Sequence, residues 1–284
     1  MKFSTRLVEL HIEDIGLGYD AAIAPFMKAI SSAVRLRDLK IISVITWRNP
    51  RATFDTKTLT PATFPNLQSL SLVGLYFNTL ESLLPMITSS TCQVSLVLGH
   101  RSRLTHEHVH DGSVNNELTI HNLEIDSSNL CRVLKHTPVS SLTLFGTWWL
   151  SRHLFRDLLT IIPSLKTLNM DDCLLGRGYC RQIERDFNTE MQRPFPALET
   201  LRITRSLIYT EVFQEFKKMV ASHPLRQVIM GVNVNHISSV EELTWKPLEE
   251  ESELVNWLRT DIPVVRVVDY EAGVPEEYRT WRRW

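Results

Sequence analysis

Apolar residues recur along this chain in one spacing, L-x-x-L-x-L. It appears as Leu7-Leu10-Ile12, Leu36-Leu39-Ile41 and Leu67-Leu70-Leu72, then as Ile120-Leu123-Ile125, Val139-Leu142-Leu144 and Leu165-Leu168-Met170. It returns as Leu198-Leu201-Ile203, Leu225-Val228-Met230 and Ile262-Val265-Val267, with a weaker copy at Leu96-Leu98 whose first position is Gln93. Successive starts lie 19 to 37 residues apart, which predicts about ten irregular repeats. Alternation puts the closing anchors on one face of a short strand and the residues between them on the other. Helical patterns follow most strands. In 151–163 Ser151 can cap, and Leu154, Phe155, Leu158, Leu159 and Ile162 share a face. The same holds for Val212, Phe213, Phe216, Met219 and Val220 in 210–224, and for Leu130, Val133 and Leu134 in 126–138. All three patterns end in a proline just before the next strand. Asn78…Glu81 and Ser239…Glu242 have capping-box spacing and predict two more helix starts.

One strand and one helix cannot bury their own apolar faces. Stacking such units side by side does, so the expected fold class is α/β: a curved solenoid with parallel short strands on its concave face and helices on its convex face. One domain over 1–284 is expected. Its irregular part is 93–119, with a histidine-rich loop, and its long last repeat and tail run over 225–284.

Leu165-Leu168-Met170-Cys173-Leu175 fits L-x-x-L-x-L-x-x-N/C-x-L in full and resembles the leucine-rich repeat. Leu7-Leu10-Ile12-Ile15-Leu17 and Leu198-Leu201-Ile203-Ser206-Ile208 keep the spacing without the Asn or Cys, and the copy at Leu225 has Asn233 at that place. Irregular length and helical outer sides resemble the ribonuclease-inhibitor-like class. The phrases FPNLQSLSL, IPSLKTLNM and FPALETLRI are similar to the C-terminal repeats of fungal F-box/leucine-rich-repeat proteins. That resemblance implies substrate recognition for a cullin-RING ubiquitin ligase. It also implies an F-box, a helical module of which no trace is visible here, since the first repeat starts at Leu7. The expectation is therefore a fragment or truncated product, or an N-terminal end covered by a partner. Ligase subunits are expected partners only if an F-box is supplied elsewhere.

Composition narrows the function. With 43% hydrophobic and 22% charged residues the chain is ordinary globular material. A net charge of -1 argues against coating nucleic acid or an acidic membrane. No apolar run approaches the roughly 18 residues that span a bilayer. Four cysteines, Cys92, Cys131, Cys173 and Cys180, lack metal-type C-x-x-C spacing, which predicts a reducing cytoplasmic or nuclear compartment.

Several constellations invite chemistry. Residues 16–21, GLGYDA, fit a dinucleotide fingerprint. Glu13 and Asp14 would repel a pyrophosphate, Pro25 would break the following helix, and Asp38 starts its strand, so a turn of the first repeat is expected and no cofactor. His106, His108 and His110 would share a face of an extended segment and could hold Zn²⁺. A polar surface loop is the expectation there, and a metal-dependent enzyme built on this cluster is the alternative from another class. Cys173 occupies the family's inward Asn/Cys position, where its thiol bonds backbone. The tail Tyr278–Trp284, with Arg279, Arg282 and Arg283, could touch RNA but is expected to pack or move. No G-x-S-x-G elbow, phosphate loop or H-E-x-x-H is present.

The concave face is where ligands of such folds bind. Its middle outward positions read His11, Lys40, Ser71, Val97, Glu124, Thr143, Asn169, Arg202, Ile229 and Arg266. The next position reads Glu13, Ile42, Val73, Gly99, Asp126, Phe145, Asp171, Thr204, Gly231 and Val268. Glu124, Asp126, Asp171 and Asp172 gather negative charge beside Phe145, and Arg202 and Arg205 bring positive charge next to it. Trp149 fills a core position, leaving Trp148 toward the surface as a contact. An apolar anchor amid charges of both signs suits a protein ligand, not nucleic acid or membrane. The wall lacks convergent acid, base and oxyanion donors. The expected function is a non-catalytic protein-binding scaffold, of the F-box/leucine-rich-repeat type or free-standing.

Overall fold

The computed structural model describes residues 3–48, 61–88, 92–110, 118–124, 127–185, 195–235 and 245–270. They form an α/β protein with seven α-helices among the described residues. Its contacts divide into two compact units, Met1–Val139 and Ser140–Trp284. The tail 271–284 and the Ser239…Glu242 pair lie outside the described residues.

The first unit runs β1 (Glu9–Glu13), β2 (Gly16–Tyr19), α1 (Ile23–Ser31), β3 (Asp38–Ile42), β4 (Ile45–Trp47), β5 (Ala62–Thr63) and β6 (Ser69–Val73). It continues through α2 (Phe77–Leu83), β7 (Ile87–Thr88), β8 (Gln93–Leu98), β9 (Leu104–His110), β10 (Leu118–Glu124) and α3 (Ser127–Leu134). Strands β1, β3, β6 and β8 pair in parallel in chain order, with Leu10, Leu39, Leu70 and Val94 in one row and Ile12, Ile41, Leu72 and Leu96 in the next. These rows face the core: Leu39, Ile41, Leu70, Leu72 and Leu96 are fully buried.

Two expectations are corrected here. The weak copy is aligned by Val94 and Leu96, not by Leu96 and Leu98, so Ser95 and Val97 replace Val97 and Gly99 on the outward rows. A slip of two residues preserves the face, so alternation alone could not detect it. The copy at Ile120 is not part of this ladder. Strand β10 pairs antiparallel with β9, Leu118 opposite His110 and Glu124 opposite Leu104. Period-two alternation fits a hairpin as well as a parallel strand. Nine strands, rather than ten, carry the repeat among the described residues.

The second unit runs β11 (Val139–Phe145), α4 (Arg152–Ile161), β12 (Thr167–Asp171), β13 (Leu174–Leu175), α5 (Arg177–Ile183) and β14 (Thr200–Tyr209). It ends with α6 (Phe213–Ala221), β15 (Gln227–Asn235), β16 (Trp245–Pro247), α7 (Glu253–Asp261) and β17 (Val264–Val267). Here β11, β12, β14, β15 and β17 pair in parallel, aligning Leu142, Leu168, Leu201, Val228 and Val265. Strand β16 adds antiparallel to β15. Ser151 caps α4 as expected, its Oγ accepting from Leu154 N–H at 3.3 Å.

Two helix expectations change. Asn78 is inside α2 with its side chain buried and makes no cap. Pro25 is the third residue of α1 and does not break it, because a first-turn N–H needs no intrahelical partner.

A turn device repeats after the ladder strands. Two residues past the last anchor, φ is positive at Asp14 (53°), Ser43 (48°), Gly74 (65°), Gly146 (60°), Asp172 (57°) and Arg205 (48°). The N–H groups of Asp14, Ser43, Gly146 and Asp172 donate to the carbonyls of Ile42, Val73, Asp171 and Thr204 at 2.9–3.1 Å. The left-handed residue thus bends the chain while the ladder continues. Only two of the six are glycine, so the others carry steric cost. Ser43→Gly is expected to raise stability by about 1 kcal/mol in urea denaturation. A loss would show that the Ser43 side chain contributes more than its backbone costs.

Helix ends are closed across repeats. Arg156 of α4 donates to the carbonyls of Gln182 (3.0 Å) and Glu184 (2.8 Å), and His223 Nε2 lies 2.8 Å from the Ile183 carbonyl. Those are the orphan acceptors at the end of α5.

Candidate functional site

The expected site residues of the second unit gather at the C-terminal ends of β11 and β12 and at the register shift in the middle of β14. Parallel pairing places Phe145 beside Asp171 and Asp171 beside Thr204. The Asp171 carboxylate is buried, at 3% exposure. Its Oδ1 accepts from Thr204 Oγ1 at 3.0 Å and from Arg205 Nε at 2.9 Å, and its Oδ2 accepts from Arg205 Nη2. The Arg205 guanidinium also lies over the Phe145 ring, 5.5 Å from its centroid, a cation–π arrangement. Asp171 therefore fixes Arg205 within the chain and leaves no carboxylate oxygen unpartnered for a basic ligand.

Its neighbour has the opposite fate. Asp172, in the left-handed turn, is exposed. Trp148 is 76% exposed and Phe145 44%. A Cβ built on Gly146 would sit 3.0 Å from Trp148 Nε1 and 4.0 Å from the Asp172 carbonyl, so the indole and the Asp172 backbone flank one glycine. Trp149 is buried and donates Nε1–H to the Phe145 carbonyl at 3.0 Å. The pair divides as the repeat frame requires.

Asn169 and Arg202 occupy neighbouring positions on the middle outward row. Asn169 is buried, its Nδ2 donating to Thr143 Oγ1 at 3.0 Å, and Arg202 is half-buried. Glu124 is on β10, in the hairpin and not on the ladder, and its side chain is outside the described residues, as is all of Asp126. Of the two described members of the acidic cluster, Asp171 is buried and Asp172 is exposed. Sequence reasoning missed Leu174, 47% exposed on the short strand β13. Its signal was the Leu174–Leu175 doublet, because a strand turns one member of such a pair outward; Leu175 is fully buried.

No known family model matches the chain, and no curated protein is significantly similar to it.

The remaining constellations supply no reactive centre among the described residues. Cys173 is buried, with Sγ 3.3 Å from the Asp171 carbonyl, and its N–H donates to Ser206 Oγ at 3.0 Å. Burial pushes the thiols of Cys173 and Cys180 up to about 12, and that of Cys92 up to about 11. At Cys173 the nearby carboxylates of Asp171 and Asp172 add to this. None of the three is a thiolate at neutral pH, so none is a ready nucleophile. A thiol reagent at pH 8 is expected to label them only after unfolding. Their folded pKa lies above the ordinary 9.0, so the folded state holds protons that the unfolded state releases. Stability is intact below pH 9 and falls as pH rises from about 9 toward 12. Flat stability across that window would contradict the burial of these thiols.

The backbone over 104–110 is extended, while the side chains of His106, His108 and His110 lie outside the described residues. Among the described residues no group of His, Cys, Asp and Glu could hold a metal ion, and no helix is long and apolar enough to cross a membrane. GLGYDA forms β2 and the start of a 3-10 turn, with Asp20 buried.

Proposed function

We propose that this chain is a leucine-rich-repeat scaffold that binds a protein segment and performs no chemistry of its own. The observation that carries the reading is the exposure of Phe145 and Trp148 on either side of the Gly146 turn that the Asp172 backbone flanks, with Leu174 exposed two residues further along the chain. Large aromatic side chains held open next to a charge are the usual anchors of protein interfaces. Arg205, locked by Asp171, holds Phe145 in place, so part of the surface is organised before a partner arrives. The segment it fits presents an apolar side chain to Trp148 and Leu174 and a cation to Asp172. Repeat spacing and the fully matched copy at Leu165–Leu175 support the solenoid assignment. The similarity of FPNLQSLSL, IPSLKTLNM and FPALETLRI to fungal F-box/leucine-rich-repeat proteins supports recognition of a ubiquitin-ligase substrate, with the ligase recruited by an F-box supplied elsewhere.

The test is affinity capture from source-cell lysate with mass spectrometry, comparing the parent chain with a Trp148→Ala/Asp172→Lys variant. Both residues are exposed, so the variant should fold. One or two proteins are expected to be retained about tenfold better by the parent, with ligase subunits among them if the ubiquitin link holds. Equal retention by both chains would sink the site, and a specific partner without ligase subunits would leave a free-standing scaffold.

A further inference from the structure

Strand β1 ends its sheet among the described residues, and its backbone shows which atoms face outward. The Val8 carbonyl accepts from Asp38 N–H at 3.1 Å, and Asp14 N–H donates to the Ile42 carbonyl at 3.1 Å. With Leu10 opposite Leu39 and Ile12 opposite Ile41, the even-numbered residues direct their N–H and C=O toward β3. Glu9, His11 and Glu13 direct theirs to the open side. Strand β2 pairs with β4 in a sheet of two strands among the described residues. The apolar side chains around this edge are unusually open: Val8 is 44% exposed, Ile15 41% and Tyr19 41%.

The edge is complementary to itself in the register centred on Leu10, whereas an axis through Ile12, which also pairs His11 with Glu13, sets Leu10 opposite Asp14 and Glu9 opposite Ile15. An antiparallel copy related by a twofold axis through Leu10 places Glu9 opposite His11 of the second copy, and His11 opposite its Glu9. Those residues are the ones with outward N–H and C=O, so they form hydrogen-bonded pairs, and Leu10 meets Leu10 in a non-hydrogen-bonded pair. Val8 then lies opposite Ile12, so the apolar face of one sheet continues into the other. Moving the axis to His11 sets Glu9 opposite Glu13, and moving it to Glu9 sets that carboxylate against itself; both are repulsive. The His11 Nε2 atom is buried, makes no hydrogen bond among the described residues and lies 3.7 Å from the Glu13 carboxylate.

We propose that the chain self-associates through β1, antiparallel and centred on Leu10, forming a twofold dimer that covers Val8, Ile15 and Tyr19. The inference is independent of the partner site at Trp148.

Sedimentation velocity on the full chain, up to about 100 μM, tests it. The expected result is a concentration-dependent dimer. His11→Pro removes an N–H that faces away from β3, so the strand should survive while the dimer is lost. His11→Glu, which opposes Glu9 to a second carboxylate, should weaken association about tenfold, and adding Glu9→Lys should restore it. A chain that stays monomeric throughout overturns the proposal. So does a dimer unaffected by His11→Pro in a variant with unchanged far-UV circular dichroism, or a charge swap that fails to restore. If His11→Pro does not fold, the charge swap alone decides.

Discussion

Asp20→Ala is expected to lower the stability of the first unit by about 3 kcal/mol. Asp20 is 3% exposed, and its Oδ1 accepts from Thr46 Oγ1 at 2.6 Å and from Asn78 Nδ2 at 2.8 Å. Thr46 Oγ1 also lies 3.0 Å from Thr79 Oγ1, and Asn78 Nδ2 reaches the Thr46 carbonyl at 3.0 Å. Arg48 approaches Asp20 Oδ2 at 3.9 Å and pairs with Glu81, which also binds Arg132 at 2.6 Å. The network therefore ties together residues from three successive repeats and α3. Alanine at 20 would take the charged acceptor from the Asn78 amide and the Thr46 hydroxyl in sites with no solvent contact, leaving them the weaker Thr46 carbonyl and Thr79 hydroxyl, and each lost bond to a charged group costs about 1.5–3 kcal/mol. The cost stays below that of a fully buried ion pair because the Arg48 side chain is 30% exposed and recovers water. Chemical denaturation of the full chain measures it. A loss below about 1 kcal/mol would mean that the loop relaxes to hydrate those groups.

Asp171→Asn is expected to cost about 2–3 kcal/mol. The amide cannot accept both Arg205 bonds and the Thr204 hydroxyl, and the loss of its charge leaves the guanidinium uncompensated. Partial exposure of the Arg205 side chain, 28%, limits the loss. Arg205→Gly should cost at least as much, because it leaves the Asp171 carboxylate buried without its cation, and the relief of the left-handed backbone at φ 48° returns only about 1 kcal/mol. Both variants should also reduce capture at Trp148, since one removes the cation over Phe145 and the other the carboxylate that holds it there. If Arg205→Gly proves clearly the less damaging of the two, water reaches the Asp171 carboxylate once the guanidinium is gone.

Much of the ladder was legible in the chain itself. Leu142, Leu168 and Leu201 are aligned as their spacing predicts, because a strand's period of two is a local property and a buried face tolerates no odd slip. The same locality explains the misses. Val94 and Leu98 lie on the same face of β8, so only pairing with β6 fixed the register. Ile120 and Leu123 have repeat spacing, but the strand they belong to found an antiparallel neighbour.

The polar residues were least legible. Asp20 meets Thr46 and Asn78 across 26 and 58 residues of sequence, and nothing local in GLGYDA announces that. Asp171 and Asp172 are adjacent and chemically identical, yet one is buried against Arg205 and the other faces water. By itself the sequence determined the repeated strands and their inward faces, because each follows from spacing along the backbone, while the inward place of Cys173 was implied by the resemblance to the leucine-rich repeat. Only the tertiary structure decided which outward residues are satisfied within the chain and which remain open, because that depends on the left-handed turns and on side chains from neighbouring strands.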